Sequence, residues 1–328
     1  MSMIAAIGFL LAWYLIYRLM NFLVIRPRSI DPSGRYVLIS GCDTGFGHAL
    51  AIKLDRQGYH VLAGVYHVDR IQLLTSQLSS RASVFRLDIT NREDVDAALA
   101  FTRAKTTTLH ALVNNAGVAL GGFIDWTSME QMRAVMEVNF FGQVAMTKAF
   151  LPLLIARRDS RVVNVSSMCG YISLPGSGAY CASKYALESF SDCLRREMSP
   201  WGLRVSLIEP GTMQTSMTEG VKHALWDSWF RLPIDVQQRW GEEFFRSLYQ
   251  LVMSSPFMRY AESPERVIRV MEHAISSTAP RIRYRPGWQS RCFFFPLSLL
   301  PVRWVDAIFA LGFNVRPAGT EHQLTADG

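Results

Sequence analysis

Tyr180 and Lys184 stand four residues apart, and Ser167 lies thirteen positions before the tyrosine. On a helix, the four-residue spacing puts phenol and ammonium on one face, one turn apart. A lysine ammonium beside a phenol stabilises the phenolate and lowers its pKa. The tyrosine then becomes an acid/base group usable near neutral pH. A serine hydroxyl brought beside it can hydrogen-bond a substrate oxygen while the proton moves. On its own, the Tyr-x-x-x-Lys spacing occurs by chance in many proteins, as two side chains that merely share an exposed helix face.

The elements that must position these residues are legible upstream. Arg35 to Ser40 is a short β-branched run that enters the turn Gly41-Cys42-Asp43-Thr44-Gly45-Phe46-Gly47, and a helical pattern follows from His48 to Gln57. Strand, glycine turn and helix form the context of a dinucleotide site: bare backbone approaches a pyrophosphate, and the helix N-terminus offers N–H groups and a positive dipole end. A second strand, Tyr59 to Tyr66, has no carboxylate at its end, so Asp43 is the nearest candidate to hold the adenosine ribose. A carboxylate there repels a 2′-phosphate and favours NAD over NADP. Ser83 to Leu87 is a third strand followed by Asp88-Ile89-Thr90. Asp88 either accepts from adenine's amino group or caps the helix after Asn91. Ala111 to Val113 leads into Asn114-Asn115-Ala116-Gly117, small residues that let a cofactor lie across a central strand. Asn139, in the apolar stretch Val138 to Gly142, must find partners and is structural or catalytic. Arg161 to Ser166 delivers Ser167, and its Asn164 sequon falls in a buried strand. Leu203 to Ile208 precedes Pro210-Gly211 and Thr215. Six β–α repeats of parallel type predict an α/β fold with a doubly wound parallel sheet. Ligands bind such sheets beyond the strands' C-terminal ends, where every one of these motifs falls.

The chain has 328 residues, 49% of them apolar, and a net charge of +7. This suffices for a large core and excludes global disorder. No Lys/Arg stripe is interleaved with aromatics, so no nucleic-acid partner is expected. Five arginines and no carboxylate fall from Arg281 to Arg303 beside an apolar stretch, which suggests an anionic membrane surface. The five scattered cysteines fit neither a disulfide framework nor a metal site, and reduced thiols suggest a cytosol-facing domain. Met3 to Ile25 carries one charge, Arg18, and as a helix would span roughly 34 Å, enough for a bilayer. Residues 1–28 therefore read as an uncleaved membrane anchor. The arginines Arg26 and Arg28 behind it put the catalytic bulk, residues 29–290, in the cytosol. Residues 212–262, rich in Met, Trp and Phe, read as a lid over an apolar substrate. Residues 291–315 are apolar but broken by Pro296 and Pro301, and read as a membrane-associated segment or substrate cap. Residues 316–328 read as a disordered tail.

With these residues assembled, the chain resembles the short-chain dehydrogenase/reductases over roughly Gly34 to Arg285. The family's TGxxxGxG is met as Ser40-Gly41 through Gly45-Phe46-Gly47, with serine for threonine, and its NNAG as Asn114 to Gly117. The resemblance implies a Rossmann fold and a catalytic tetrad of Asn139, Ser167, Tyr180 and Lys184. Ser167 would position the substrate hydroxyl, Tyr180 would remove its proton, and Lys184 would hold the nicotinamide ribose. Asn139 would support a water chain, and Thr215 would hold the carboxamide. The implied cofactor-binding set is Gly41, Asp43, Gly45, Phe46, Gly47, Asp88, Ile89, Asn115, Ala116, Gly117, Tyr180, Lys184, Pro210, Gly211 and Thr215, with NAD as cofactor. The Gly41-Cys42-Asp43 turn, Ser191 to Glu197 and the two apolar ends resemble a narrower branch of retinol, 17-beta-hydroxysteroid and 3-hydroxybutyrate dehydrogenases. The implied activity is NAD-dependent interconversion of a lipophilic secondary or allylic alcohol, a retinol or a hydroxysteroid, and its aldehyde or ketone at the endoplasmic reticulum membrane. A mitochondrial hydroxy-acid dehydrogenase and a non-catalytic NAD-binding protein are the alternatives, and a homodimer is left open.

Overall fold

The computed structural model describes residues 8, 12, 13, 29–215, 218, 220–312 and 316–320. Most of the apolar run from Met3 to Ile25, and with it the anchor reading, lies outside the described residues.

Seven short strands, β1 (Tyr36–Ile39), β2 (His60–Val65), β3 (Ser83–Arg86), β4 (Ala111–Asn114), β5 (Arg161–Val165), β6 (Arg204–Ile208) and β7 (Arg283–Tyr284), form one sheet. Their order is β3-β2-β1-β4-β5-β6-β7, and every pairing is parallel. The strands read as unbroken apolar runs because helices cover both faces. Alternation then divides each strand between two cores. Val37 and Ile39 of β1, with Val61 and Ala63 of β2, pack on one face against Leu50 and Leu54 of α1 (Gly45–Arg56), Leu74 of α2 (Arg70–Thr75) and distal Met271 and Ile275. Leu38 and Leu62 face the other side. There they meet Val95 and Ala98 of α3 (Arg92–Lys105) and Met146, Phe150 and Leu154 farther along the chain.

After β4 the chain forms α4 (Met129–Met136), a π-helical turn (Glu137–Gly142) and α5 (Gln143–Ile155). Ser128 and Gln131 close a reciprocal capping box at the start of α4. Among the described residues, this continuous run is the one stretch long and apolar enough to cross a membrane, but its inner face is built into the sheet core. The helix after β5, α6 (Gly178–Glu197), carries Tyr180 and Lys184.

The segment read as a lid folds into α7 (Val221–Phe230), α8 (Ile234–Trp240), α9 (Glu242–Ser254) and α10 (Pro256–Arg259). Trp229, Phe244 and Phe245 are buried in a satellite core of their own with Trp126. Most of the aromatic residues in this stretch therefore stabilise the lid itself rather than face a ligand. Next comes α11 (Glu265–Ser276), which supplies Met271 and Ile275. The chain beyond β7 is broken as its prolines predict: a π-helical turn (Gln289–Phe294), then α12 (Phe295–Ser298) and α13 (Val302–Ala310). Of the tail, residues 316–320 are described and turn at Ala318–Thr320 against α8, while 321–328 lie outside the described residues.

Two of the arginines read as membrane-facing turn inward. Arg283 and Arg285 ion-pair with the fully buried Glu209 at 3.0 and 2.7 Å, and Arg283 also reaches Glu188 and Asp192. A buried carboxylate needs such partners, and it draws the basic strand toward the core.

Candidate active site

The strand order reverses direction between β1 and β4, and the crevice at this switch point is where such sheets take ligands. Gly41 leaves β1 at φ +70, a conformation that favours glycine, and an added Cβ would lie 2.8 Å from Ala116 Cα. The turn is thus pressed onto the loop after β4. Ser40, the serine at the family's usual threonine position, fixes that contact: its Oγ accepts from the N–H groups of Asn115 and Ala116 at 3.1 and 3.2 Å. Asn115 Nδ2 donates back to the carbonyls of Ser40 and Gly41 at 3.0 and 2.9 Å.

A cavity of about 640 Å³ opens above this turn. Gly41, Asp43, Gly45, Phe46, Asp88, Ile89, Asn115, Ala116, Gly117 and Thr215 line it, as expected for the cofactor set. Gly47 does not line it; it is buried against Gly41 and Asn115. Asp43 accepts from the backbone N–H groups of Tyr66 and His67 at 3.0 and 2.8 Å, so its carboxylate is fixed at the end of β2. Asp88 does not cap α3. Asn91 does, accepting from the N–H groups of Glu93 and Asp94, while Asp88 accepts from Thr90 N and Thr90 Oγ. Tyr66, His67 and Arg70 also line the cavity. The sequence reading missed them because they follow the strand end that it searched only for a carboxylate.

A second cavity of about 370 Å³ shares Phe46, Asn115, Gly117, Val118 and Thr215 with the first, so the two form one trough. Ser167, Tyr180, Lys184, Pro210 and Gly211 line this half. Leu225, Leu248, Val252 and Met258 of the lid cover it, and Met213, Val118 and Leu120 add apolar surface. Ser167 leaves β5 with its Oγ accepting from Cys169 N at 3.2 Å, and it lines the same half of the trough as Tyr180. Lys184 Nζ donates to Val165 O at 3.0 Å and lies 5.6 Å from the Tyr180 ring centroid. It is 4% exposed, and burial brings its ammonium down to about 8 against the opposing pull of Cys169 and Glu188. The phenol departs from expectation. Burial raises the Tyr180 pKa, with Cys169 adding to the rise, and the nearby Ser167 hydroxyl opposes it.

Asn139 sits in the π-helical turn and lines neither cavity. Its Oδ1 accepts from Val118 N at 2.8 Å, and its Nδ2 donates to Val118 O and Ser183 Oγ at 2.9 and 3.1 Å. Both amide hydrogens are therefore engaged, and Asn139 ties the β4 loop to the helix that holds Tyr180. A π-helical turn adds a residue to the helical repeat and so re-aims one side chain.

Comparison with known proteins agrees with this arrangement. The family model described as short chain dehydrogenase matches residues 35–226. The chain is 40% identical over 293 residues to retinol dehydrogenase 5 of Mus musculus, covering 87% of this chain and 91% of that one. It is 35% identical over 305 residues to 17-beta-hydroxysteroid dehydrogenase type 6 of Homo sapiens, covering 92% and 95%. A short-chain dehydrogenase structure from Streptomyces avermitilis superposes with a TM-score of 0.67 at 25% identity, over 85% of this chain and 95% of that one. On its sheet order, its motifs and these matches, the chain belongs to the short chain dehydrogenase family of oxidoreductases.

Proposed function

We propose that the chain is an NAD-dependent oxidoreductase that interconverts a lipophilic alcohol, a retinol or a hydroxysteroid, and its carbonyl product. The observation that carries this reading is the meeting of Ser167, Tyr180 and Lys184 at one end of a trough whose walls are otherwise mostly apolar. The other end fits a dinucleotide. An added Cβ at Gly45 would meet nothing within 4 Å, so bare backbone faces the cavity beside the N-terminus of α1. Gly41, Gly45, Phe46, Asp88, Ile89 and Asn115 to Gly117 would hold NAD there, with Thr215, Pro210 and Gly211 toward the catalytic end. When bound, NAD supplies the acceptor for the hydride.

The chain's own residues handle the proton. Ser167 and Tyr180, which line the same half of the trough, together bind the substrate oxygen. Tyr180 takes the hydroxyl proton at its phenol oxygen during oxidation and returns it during reduction. The Lys184 ammonium favours the phenolate, and Asn139 positions the helix that carries both. Among the described residues, Lys184 is the one cation lining this half of the trough, which supports a neutral substrate over a hydroxy acid. Residues 1–28 would anchor the enzyme at the endoplasmic reticulum membrane with the catalytic domain in the cytosol.

The test is NADH production with all-trans-retinol, 11-cis-retinol, estradiol, androstanediol and 3-hydroxybutyrate side by side. Turnover of a lipophilic alcohol is expected; turnover of hydroxybutyrate alone would overturn the substrate class. Tyr180→Phe is expected to lose at least about a hundredfold in turnover while still binding NAD. Retained turnover would overturn the assignment of the acid/base group.

A further inference from the structure

An open groove of about 1130 Å³ lies outside the catalytic cavity and shares Phe123, Pro175 and Gly176 with it. The wall between the two is thin. It consists of two loop segments joined where Gly122 N donates to Gly176 O at 2.8 Å, and an added Cβ at Gly176 would meet nothing within 4 Å. Ile124 and Tyr185 line the groove and are 73% and 41% exposed. Its outer flank is α13, through Phe309, Ala310 and Asp306. Val305 and Phe309 attach that helix to the body, while Val302, Trp304 and Ile308 stay exposed, as does Leu311 just beyond it. Apart from Arg303 and Asp306 this helix is apolar, and its exposed apolar side is unsuited to water and suited to a bilayer surface.

We infer that this groove is the vestibule through which a neutral, elongated lipophilic molecule passes from the bilayer into the catalytic cavity. The inference rests on the proposed function, which assigns the cavity's other end to NAD, so that the substrate needs an entrance of its own. No Lys, Arg or His lines the groove, and of its two carboxylates Asp125 is bonded to Arg239 and to Trp240 Nε1. It therefore attracts neither a hydroxy acid nor a phosphate. Its apolar lining matches an alcohol that dissolves in lipid, and its exposed flank helix marks the side from which that alcohol arrives.

The test places the full-length protein in phosphatidylcholine vesicles and compares retinol dissolved in the bilayer with a short, water-soluble allylic alcohol. Ile124→Glu and Tyr185→Glu put a charge in the groove at exposed positions, where folding tolerates it. Each is expected to raise KM for vesicle-borne retinol about tenfold or more, with kcat/KM for the short alcohol within about twofold of the parent. Equal losses on both substrates, or an unchanged KM for retinol, would overturn the vestibule. A change in sedimenting mass with unchanged KM would make the groove a contact between copies and overturn it too. Retinol binding, read by its fluorescence, separates the two readings. A parent that binds retinol but oxidises neither alcohol would sink the proposed function. The vestibule would then stand or fall on whether Ile124→Glu weakens that binding.

Discussion

Burial holds the Lys184 ammonium near 8 while it raises the Tyr180 phenol above its ordinary value. Oxidation requires the phenol to have lost its proton, so its rate is expected to rise with pH. The Lys184 ammonium, proposed to favour the phenolate, is itself lost through about pH 8, so the rise should level off there. Lys184→Arg keeps the charge at all working pH values and is expected to carry the rise further into alkali. A pH–rate profile identical in parent and variant would contradict this coupling. Asp43 permits a separate test. Asp43→Asn removes a fixed charge from the nucleotide cavity but leaves one oxygen to accept from the Tyr66 or His67 N–H. The ratio of kcat/KM for NAD over NADP is expected to fall by about tenfold. Arg70, which lines the same cavity, would then meet the 2′-phosphate without a competing carboxylate on the glycine turn.

The lid has a hydrophobic core separate from those of the sheet, and this sets how it fails. Phe245 is fully buried there, stacked on Trp229 at a centroid distance of 4.7 Å. Phe245→Ala is expected to cost about 3–5 kcal/mol of lid stability. NADH affinity should be unchanged, KM for the lipophilic alcohol should rise, and limited proteolysis should cut first within residues 213–260. Loss of NADH binding in step with substrate binding would show that lid and sheet unfold as one unit. The strands, the glycine turn and the helix of Tyr180 were legible in the sequence because each rests on a local pattern of period or spacing. The role of the lid aromatics was not, since Met/Trp/Phe-rich helices read alike whether they face a ligand or one another. Nor was the inward turn of Arg283 and Arg285, because it depends on Glu209, which is distant in sequence. Asn139 was legible as a residue that must find partners, but the π-helical turn that aims it was not.

At the scale of the molecule, a clamp closes the end of the sheet opposite the site. Arg161, fully buried, donates to the carbonyls of Ile275 and Ser277 and meets His110 Nε2 at 2.8 Å; that nitrogen also lies 3.1 Å from Ile275 O, and Arg35 Nη1 meets His110 Nδ1 at 3.2 Å. A neutral imidazole can accept from one of these guanidiniums, whereas an imidazolium can accept from neither. Burial and Arg161 accordingly lower the His110 pKa from 6.5 to about 3. The unfolded chain binds this proton and the folded one does not, so the stability due to His110 is full above pH 6.5 and is lost as pH falls toward 3. The fall of Tm with acid over that window is expected to be shallower in His110→Gln than in the parent. Parallel curves would assign the acid sensitivity to other groups. The same clamp lies where the chain enters the domain: Ser29 bridges Ser277, and Ile30 N donates to Ser276 O at 2.7 Å. The proposed anchor therefore joins at the N-terminal ends of the strands, whereas α13 flanks the groove near the catalytic residues, beyond the C-terminal ends of the strands. On this proposal, tethering at both poles would fix the tilt of the domain and keep the groove from swinging away from the lipid. The encounter between enzyme and alcohol would then become a search in two dimensions, paced by lateral diffusion and by the mole fraction of substrate in the leaflet rather than by its concentration in water.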